Sequence, residues 1–128
     1  MQYVLRGKVI HGDGWGRKMG YPTANLDRRY FVHHSVPKGV WACRVKIKNQ
    51  KSKIKNNELW LRGIAVIGVK NKVEVYIIDF DKNIYGWYCE AEIFKKIRSL
   101  RKYGSPRALA VQIGRDIETA RRVLGKPS

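Results

Sequence analysis

The chain has 128 residues, and its 27 lysines and arginines outnumber its 10 aspartates and glutamates, giving a formal net charge of +17 at pH 7. A hydrophobic fraction of 44% with 4 tryptophans, 7 tyrosines and 3 phenylalanines excludes a disordered chain, and the length predicts one domain over residues 1–128. We expect no signal peptide and no membrane-spanning helix, because no apolar stretch is long enough. The charge favours an anionic partner, which leaves nucleotides, nucleic acid and acidic membrane surfaces open.

The first predicted strand, residues 4–11, leads into a glycine-rich stretch at 12–26 that holds four glycines, two cations, a hydroxyl and an amide. Glycine lets backbone amides approach a ligand closely, and neutral oxygens suit Mg²⁺. The stretch could therefore bind a nucleotide phosphate with its metal, or it could be an ordinary surface turn, which the residues alone favour. It contains neither a GxxxxGK[ST] motif nor a GxGxxG motif followed by a helix. The residues that could take part in such a phosphate and metal site are Gly12, Gly14, Gly16, Arg17, Lys18, Gly20, Thr23 and Asn25.

Residues 27–38 are irregular and predict a surface loop or a flap over a site. Apolar and charged residues then alternate over 40–48, which predicts a half-buried antiparallel strand. Further strands are predicted at 59–69, where Gly63 and Gly68 indicate bends, at 73–80, and at 85–94. In 40–48 the apolar face is Trp41, Cys43, Val45 and Ile47, and the charged face is Arg44, Lys46 and Lys48. In 73–80 alternation puts one face on Val73, Val75, Ile77 and Asp79.

Glu74 stands apart among the few carboxylates, since it begins an apolar strand directly after a tight turn. A carboxylate at the rim of a barrel can accept a proton. It can equally form an ion pair with one of the many lysines, and the residues alone favour the ion pair. Glu90 and Glu92 are expected on the outward face of their strand.

A helix is predicted after Ser105, with the serine as N-cap and Pro106 in the first helical position. Gly125 and Pro127 are expected to end it. Its apolar stripe is Leu109, Ile113, Ile117, Ala120 and Leu124. Successive short antiparallel strands followed by one amphipathic helix predict a mainly β fold, a small barrel with the helix over one end.

Cys43 and Cys89 make one possible pair and belong to no CxxC motif. Each lies in an alternating apolar run, which predicts buried free thiols in a reducing compartment. We therefore expect a cytoplasmic protein.

Several segments in order along nearly the whole chain form one recognisable pattern. They are 7–12, 14–26 with its Pro-Thr-Ala-Asn sequence, 37–42, 67–68, 74–80, 84–86, and 97–116 in part. Taken together, these segments resemble the riboflavin kinase family. The resemblance implies a six-stranded antiparallel Greek-key β-barrel with a C-terminal α-helix, and we expect the chain to have no FAD synthetase half. Departures from the family pattern are Trp15 in the glycine-rich loop, a short segment 68–73, and Tyr103 where phenylalanine is common.

The resemblance also implies an activity: transfer of the γ-phosphoryl group of ATP to the 5′-hydroxyl of riboflavin, giving FMN and ADP. It implies Glu74 as the base, and Thr23 and Asn25 as ligands of Mg²⁺ or of another divalent cation such as Zn²⁺ or Mn²⁺. It implies a monomer with no membrane partner. The implied nucleotide contacts are Gly12, Arg17, Thr23, Ile77, Asp79 and Tyr85, and the implied flavin contacts are Arg98, Arg101 and Tyr103.

Two alternatives remain. The chain could be a basic β-barrel that binds nucleic acid through the Arg44, Lys46 and Lys48 face, with tryptophans that stack on bases. It could also be a relative that binds flavin and nucleotide without catalysis.

Overall fold

The structure is a computed structural model that describes residues 3–10, 23–26, 37–48, 60–68, 72–80 and 84–125. Within these ranges the chain forms six strands and one helix. They are β1 (Tyr3–Ile10), β2 (Thr23–Leu26), β3 (Gly39–Lys48), β4 (Leu61–Ile67), β5 (Val73–Ile77), β6 (Tyr88–Arg98) and α1 (Pro106–Leu124). The glycine-rich loop before Thr23, which includes Gly12 and Arg17, and the irregular segment 27–36 lie outside the described residues.

The strands close into one barrel in the order β1-β2-β5-β4-β3-β6, and all neighbours are antiparallel. The successive strands β3, β4 and β5 are adjacent, and β6 returns to lie beside β3, which is the Greek-key arrangement. The predicted six-stranded antiparallel barrel with a C-terminal helix is therefore confirmed.

The barrel interior is filled by residues that alternate along each strand. Cys43 and Val45 are fully buried, with Trp41 and Ile47 packed against the same core, so the predicted apolar face of β3 is confirmed. Gly63 also faces this interior: a Cβ there would lie 2.8 Å from Val45 Cγ2 and 2.9 Å from the Tyr76 carbonyl oxygen. The pairing of β4 runs through Gly63 without a shift in register, so there is no bulge at this glycine, and it is needed for space.

Helix α1 packs on the outside of the barrel wall rather than over one end. Its Ile117, Ala120 and Leu124 are buried with residues that point outward from the sheet. Ser105 Oγ accepts from the Ala108 amide at 3.1 Å, and Gly125 ends the helix with φ of 69°, so both predicted ends are confirmed. The sheet residues beneath the helix are Val40, Ala42, Ile64 and Ile78.

Strands β5 and β6 differ most from their predicted bounds. Strand β5 ends at Ile77, and Asp79 lies in a turn with φ of 57°, so its predicted place on the strand face is wrong. Strand β6 begins at Tyr88, three residues later than predicted, and continues to Arg98. The pattern also missed β2, which consists of the Thr-Ala-Asn-Leu part of the family signature.

Candidate functional site

Strands β2 and β5 bring two of the predicted site residues together. Asn25 is the direct cross-strand partner of Glu74, and the next pair, Leu26 with Val73, is buried in the barrel interior. Because successive residues alternate between faces, Asn25 and Glu74 share the outer face of the wall, where opposite Cβ atoms are about 5 Å apart. Thr23 is paired with Tyr76 two positions along the same ladder.

Glu74 combines partial burial with access to solvent. Its side chain is 29% exposed, and its Oε1 lies 3.5 Å from Lys72 Nζ. The carboxylate therefore has a lysine partner, as the ion-pair alternative expects, and still presents an open surface. An open carboxylate can accept a proton from a bound hydroxyl.

Asn25 supplies the feature that fits a metal ion. It is 9% exposed, and its Oδ1 is buried with no hydrogen-bond partner among the residues that the structure describes. Burying a polar atom in this way costs free energy unless a ligand compensates for it. Among the described residues no cluster of three histidines, cysteines or carboxylates could hold a metal by itself. Mg²⁺ does not need one, since it takes one or two protein oxygens and completes its shell with phosphates and water.

Four of the residues predicted to contact nucleotide lie in the part of the chain that the structure describes: Thr23, Ile77, Asp79 and Tyr85. Ile77 is buried in the barrel core, so a contact from it would have to come from its main chain. Asp79 follows in the turn after β5, and its carboxylate is 65% exposed. Tyr85 is an exposed residue in the turn before β6, where the Gly86 amide donates to the Val9 carbonyl. Gly12 and Arg17 lie outside the described residues.

Two arginines hold Asp79 in place. Arg121 Nη2 donates to Asp79 Oδ1 at 3.0 Å, and Arg62 Nη2 lies 3.7 Å from Oδ2. Arg62 also donates to the Gly125 carbonyl at the end of α1. The turn after β5 is thereby connected to β4 and to the last turn of the helix.

Arg98, Arg101 and Tyr103, the predicted flavin contacts, lie together after β6. The guanidinium carbons of Arg98 and Arg101 are 5.5 Å and 5.8 Å from the centre of the Tyr103 ring, within range of a cation–π interaction. The Tyr103 hydroxyl is buried and has no hydrogen-bond partner within the described part of the chain. This group offers an aromatic ring, two cations and an unpaired hydroxyl.

Arg98 is fixed by a bidentate ion pair with Asp116 of α1. Its Nε lies 3.0 Å from Oδ1 and its Nη2 lies 2.8 Å from Oδ2, while Gln112 donates to Oδ1 at 2.9 Å. The Asp116 carboxylate is 3% exposed. The end of β6 is therefore attached to the helix through a buried charge.

The sequence did not reveal the roles of Asp116, Arg62 and Arg121. Each acts on a residue at least 17 positions away in the chain, and no local pattern marks such a contact. The sequence marks Asp116 as one of the few carboxylates and as part of the C-terminal pattern of the family that the chain resembles, but neither observation predicts its partner.

The two cysteines take no part in this site. Burial raises the pKa of the Cys43 thiol well above its usual value, and the neighbouring Cys89 adds to the effect. Burial, followed by the charge of Glu90, raises the pKa of Cys89 to about 12. Both are free, neutral thiols at physiological pH and are poor nucleophiles.

Comparison with known proteins gives one consistent result. The family model described as flavokinase, riboflavin kinase, matches residues 1–124. The chain is 38% identical over 128 residues to a bifunctional riboflavin kinase/FMN adenylyltransferase of Haemophilus influenzae, and 35% identical over 130 residues to that of Escherichia coli. These matches cover 93% and 96% of the chain but 38% of each relative, so the chain spans about two fifths of their length.

The comparison with solved structures also points to the riboflavin kinase family. The crystal structure of riboflavin kinase from Trypanosoma brucei superposes with a TM-score of 0.72 at 25% identity, covering 98% of this chain and 78% of that one. Within the described residues, no helix has both the length and the apolar character needed to cross a membrane.

Proposed function

The chain belongs to the riboflavin kinase family, and we propose that it transfers the γ-phosphoryl group of ATP to the 5′-hydroxyl of riboflavin, giving FMN and ADP. The observation that carries this proposal is the Asn25–Glu74 pair, an unpaired buried amide oxygen directly opposite an accessible carboxylate. Phosphoryl transfer needs positioning and charge neutralisation more than covalent chemistry, and these two groups supply both.

Glu74 is the proposed base. Its carboxylate would orient the 5′-hydroxyl of riboflavin and take its proton as the oxygen attacks the γ-phosphorus. The ion pair with Lys72 holds the Glu74 carboxylate on the outer face of β5. A positioned base of this kind contributes roughly 10²–10⁴-fold to the rate.

Asn25 and Thr23 are the proposed ligands of a divalent cation, Mg²⁺ or alternatively Mn²⁺ or Zn²⁺. When bound, the ion would neutralise phosphate charge. The unpaired Asn25 Oδ1 supports this role, because metal coordination would compensate for its burial. Gly12 and Arg17 would line the phosphates, and the turns that carry Asp79 and Tyr85 would hold the nucleoside.

Tyr103, Arg98 and Arg101 are the proposed flavin contacts. A tyrosine ring can stack against the planar isoalloxazine, and two guanidinium groups add cation–π contacts. The ion pair with Asp116 fixes Arg98, so the group is ordered before the substrate arrives. The buried free cysteines support a reducing, cytoplasmic location, and we propose that the protein acts as a monomer.

The test is to incubate the protein with riboflavin and MgATP, or with MgCTP, and to separate the flavins by chromatography. We expect FMN and ADP in equal amounts with ATP, and no FMN when EDTA removes the metal. Flavin binding without FMN would identify the non-catalytic relative instead. The family match does not favour the alternative in which nucleic-acid binding is the main function.

A further inference from the structure

Strand β6 carries a second chemically distinctive surface on its outer face. Between Tyr88 and Phe94 its outward residues lie beside outward residues of β1 on one side and of β3 on the other. We call this surface the β6 track. It consists of Arg6, Lys8, Arg44, Lys46, Lys48, Trp60, Tyr88, Glu90, Glu92 and Phe94.

The track has an excess of positive charge. It contains five cations and two carboxylates, which leaves a net charge of +3. Glu90 is already neutralised by Arg6, with 3.3 Å between Oε2 and Nε, and Glu92 is the register partner of Arg44. Three lysines remain, Lys8, Lys46 and Lys48, and of these Lys8 and Lys48 lie one on each side of Tyr88 in the register.

Aromatic rings are interleaved with these cations. Tyr88 is 50% exposed and Phe94 is 42% exposed, although large rings are usually covered in a folded protein. The Arg44 guanidinium carbon is 5.3 Å from the centre of the Phe94 ring, and Lys46 Nζ is 4.2 Å from the centre of the Trp60 ring. Six residues of strand separate Tyr88 from Phe94, so the track is about 20 Å long.

The track lies on the wall opposite the proposed catalytic pair. In the barrel order β1-β2-β5-β4-β3-β6, three steps separate β6 from β5, which carries Glu74. An occupant of the track would therefore leave the outer face of β2 and β5 open. The proposed phosphoryl transfer to riboflavin does not require half-exposed aromatic rings on this wall of the barrel.

We propose that the β6 track binds single-stranded nucleic acid. The lysines contact backbone phosphates, and Tyr88 and Phe94 stack on bases. Charge selects a polyanion, and exposed rings between cations select one with planar bases rather than a lipid surface or an acidic peptide. A track of this length accommodates several nucleotides, in the range of other small barrels that bind single strands.

The experiment measures binding of a fluorescein-labelled 12-mer of uridine by anisotropy over a range of salt concentrations. Replacing the two track lysines beside Tyr88, Lys8→Gln with Lys48→Gln, is expected to make the slope of log K against log salt shallower by about 1.4, which is 0.7 for each lost phosphate contact. Tyr88→Ala is expected to weaken binding roughly fivefold or more through lost stacking, without changing that slope.

The matched control removes the same charge elsewhere. Arg107 and Arg115 are exposed on α1, outside the track, so Arg107→Gln with Arg115→Gln changes the net charge equally. We expect a smaller effect on affinity from this pair than from the lysine pair. Equal losses from the two pairs would mean that net charge alone attracts RNA, and the track would be rejected.

Two further outcomes would overturn the proposal. Inorganic polyphosphate, which has no bases, should compete less well than the uridine 12-mer at equal charge; equal competition removes the role of the rings. Binding of the protein to vesicles with anionic lipids should not change when Tyr88 is replaced by alanine. If vesicle binding depended on Tyr88 and RNA binding did not, the surface would be a lipid site. Unchanged FMN formation in the lysine and Tyr88 variants shows that they fold.

Discussion

Asn25 and Glu74 are opposite each other on β2 and β5, so an amide oxygen without a hydrogen-bond partner lies beside a carboxylate that is still open to solvent. Folding alone gives no benefit from this arrangement, because an unpaired buried oxygen costs free energy and the carboxylate adds charge next to it. A bound cation and a substrate hydroxyl would use both groups. The first two predictions separate these two uses.

Glu74→Gln should lower kcat by roughly 10²–10⁴-fold, because the amide cannot take the hydroxyl proton. The affinity for MgATP should change little, since the replacement keeps the shape of the side chain. Steady-state FMN formation gives kcat, and calorimetry gives the ATP affinity. Glu118→Gln, at an exposed position on α1, is the matched control and should behave as the unmodified protein. Wild-type turnover by the Glu74 variant would remove the base assignment.

Asn25→Leu should separate stability from ligand binding. Without ligands its melting temperature should equal or exceed that of the unmodified protein, because the unpaired oxygen is gone. The stabilisation by saturating MgATP, about 2.7 kcal/mol at a hundredfold excess over Kd, should largely disappear.

The partner variant for this measurement is Asn25→Asp, which restores an oxygen ligand. It should be less stable than the unmodified protein without metal, because it places like charges opposite each other. Mg²⁺ should reverse that loss. Thermal unfolding with and without MgATP measures all three proteins. Full MgATP stabilisation of the leucine variant would show that Asn25 holds no metal.

Arg98→Met should destabilise the protein by about 3–5 kcal/mol, since it leaves the buried Asp116 carboxylate without its bidentate partner. The double variant Arg98→Met with Asp116→Leu should recover most of that stability, because both charges are gone. It should not recover riboflavin affinity if Arg98 contacts the flavin. Urea denaturation and flavin fluorescence titration report the two properties separately. Recovery of both would assign Arg98 a structural role only.

Stability should fall as pH rises above about 9. The two thiols have pKa values near 9.0 when unfolded, while burial raises the pKa of Cys89 to about 12 and that of Cys43 well above its usual value. At pH values between the thiol pKa of the unfolded chain and that of the folded chain, the unfolded chain releases protons that the folded chain keeps. Unfolding therefore becomes more favourable as the pH rises. Each thiol contributes about 1.4 kcal/mol per pH unit in that window, and nothing below pH 8.

The measurement is urea denaturation at pH 8 and at pH 10. The matched protein is the double variant Cys43→Ala with Cys89→Ala, which lacks the thiols and retains the tyrosines and lysines that also titrate there. Its stability should depend less on pH over this interval. An identical pH dependence in the two proteins would contradict the linkage to the thiols.

The sequence pattern predicted the features that depend on residues close together in the chain. Alternation in 40–48 predicted the buried face of β3, and Ser105, Pro106 and Gly125 predicted both ends of α1. Strand β2 has four residues, too few for a periodic signal, and it exists because β1 and β5 pair with it on both sides. The residues themselves marked Glu74 and Asn25 as candidates, the resemblance to the family implied their roles, and only the register shows that they are neighbours.

Other parts of the site depend on distant contacts. Asp79 leaves the strand because the chain turns after Ile77, where Arg62 and Arg121 pair with its carboxylate. The Arg98–Asp116 pair joins residues 18 positions apart. Side-chain periodicity carries no information about such partners.

Closure of the barrel also has a kinetic consequence. Strand β1 pairs with β6 from Tyr3 with Ile93 to Lys8 with Tyr88, across 80 to 90 residues of chain. During synthesis β1 must therefore wait for nearly the whole barrel sequence to emerge, with one edge unpaired. An open edge is a site of aggregation, and charged residues such as Arg6 and Lys8 on a strand reduce that hazard. Two cations of the β6 track, Arg6 and Lys8, thus also protect the nascent chain until its last strand is synthesised.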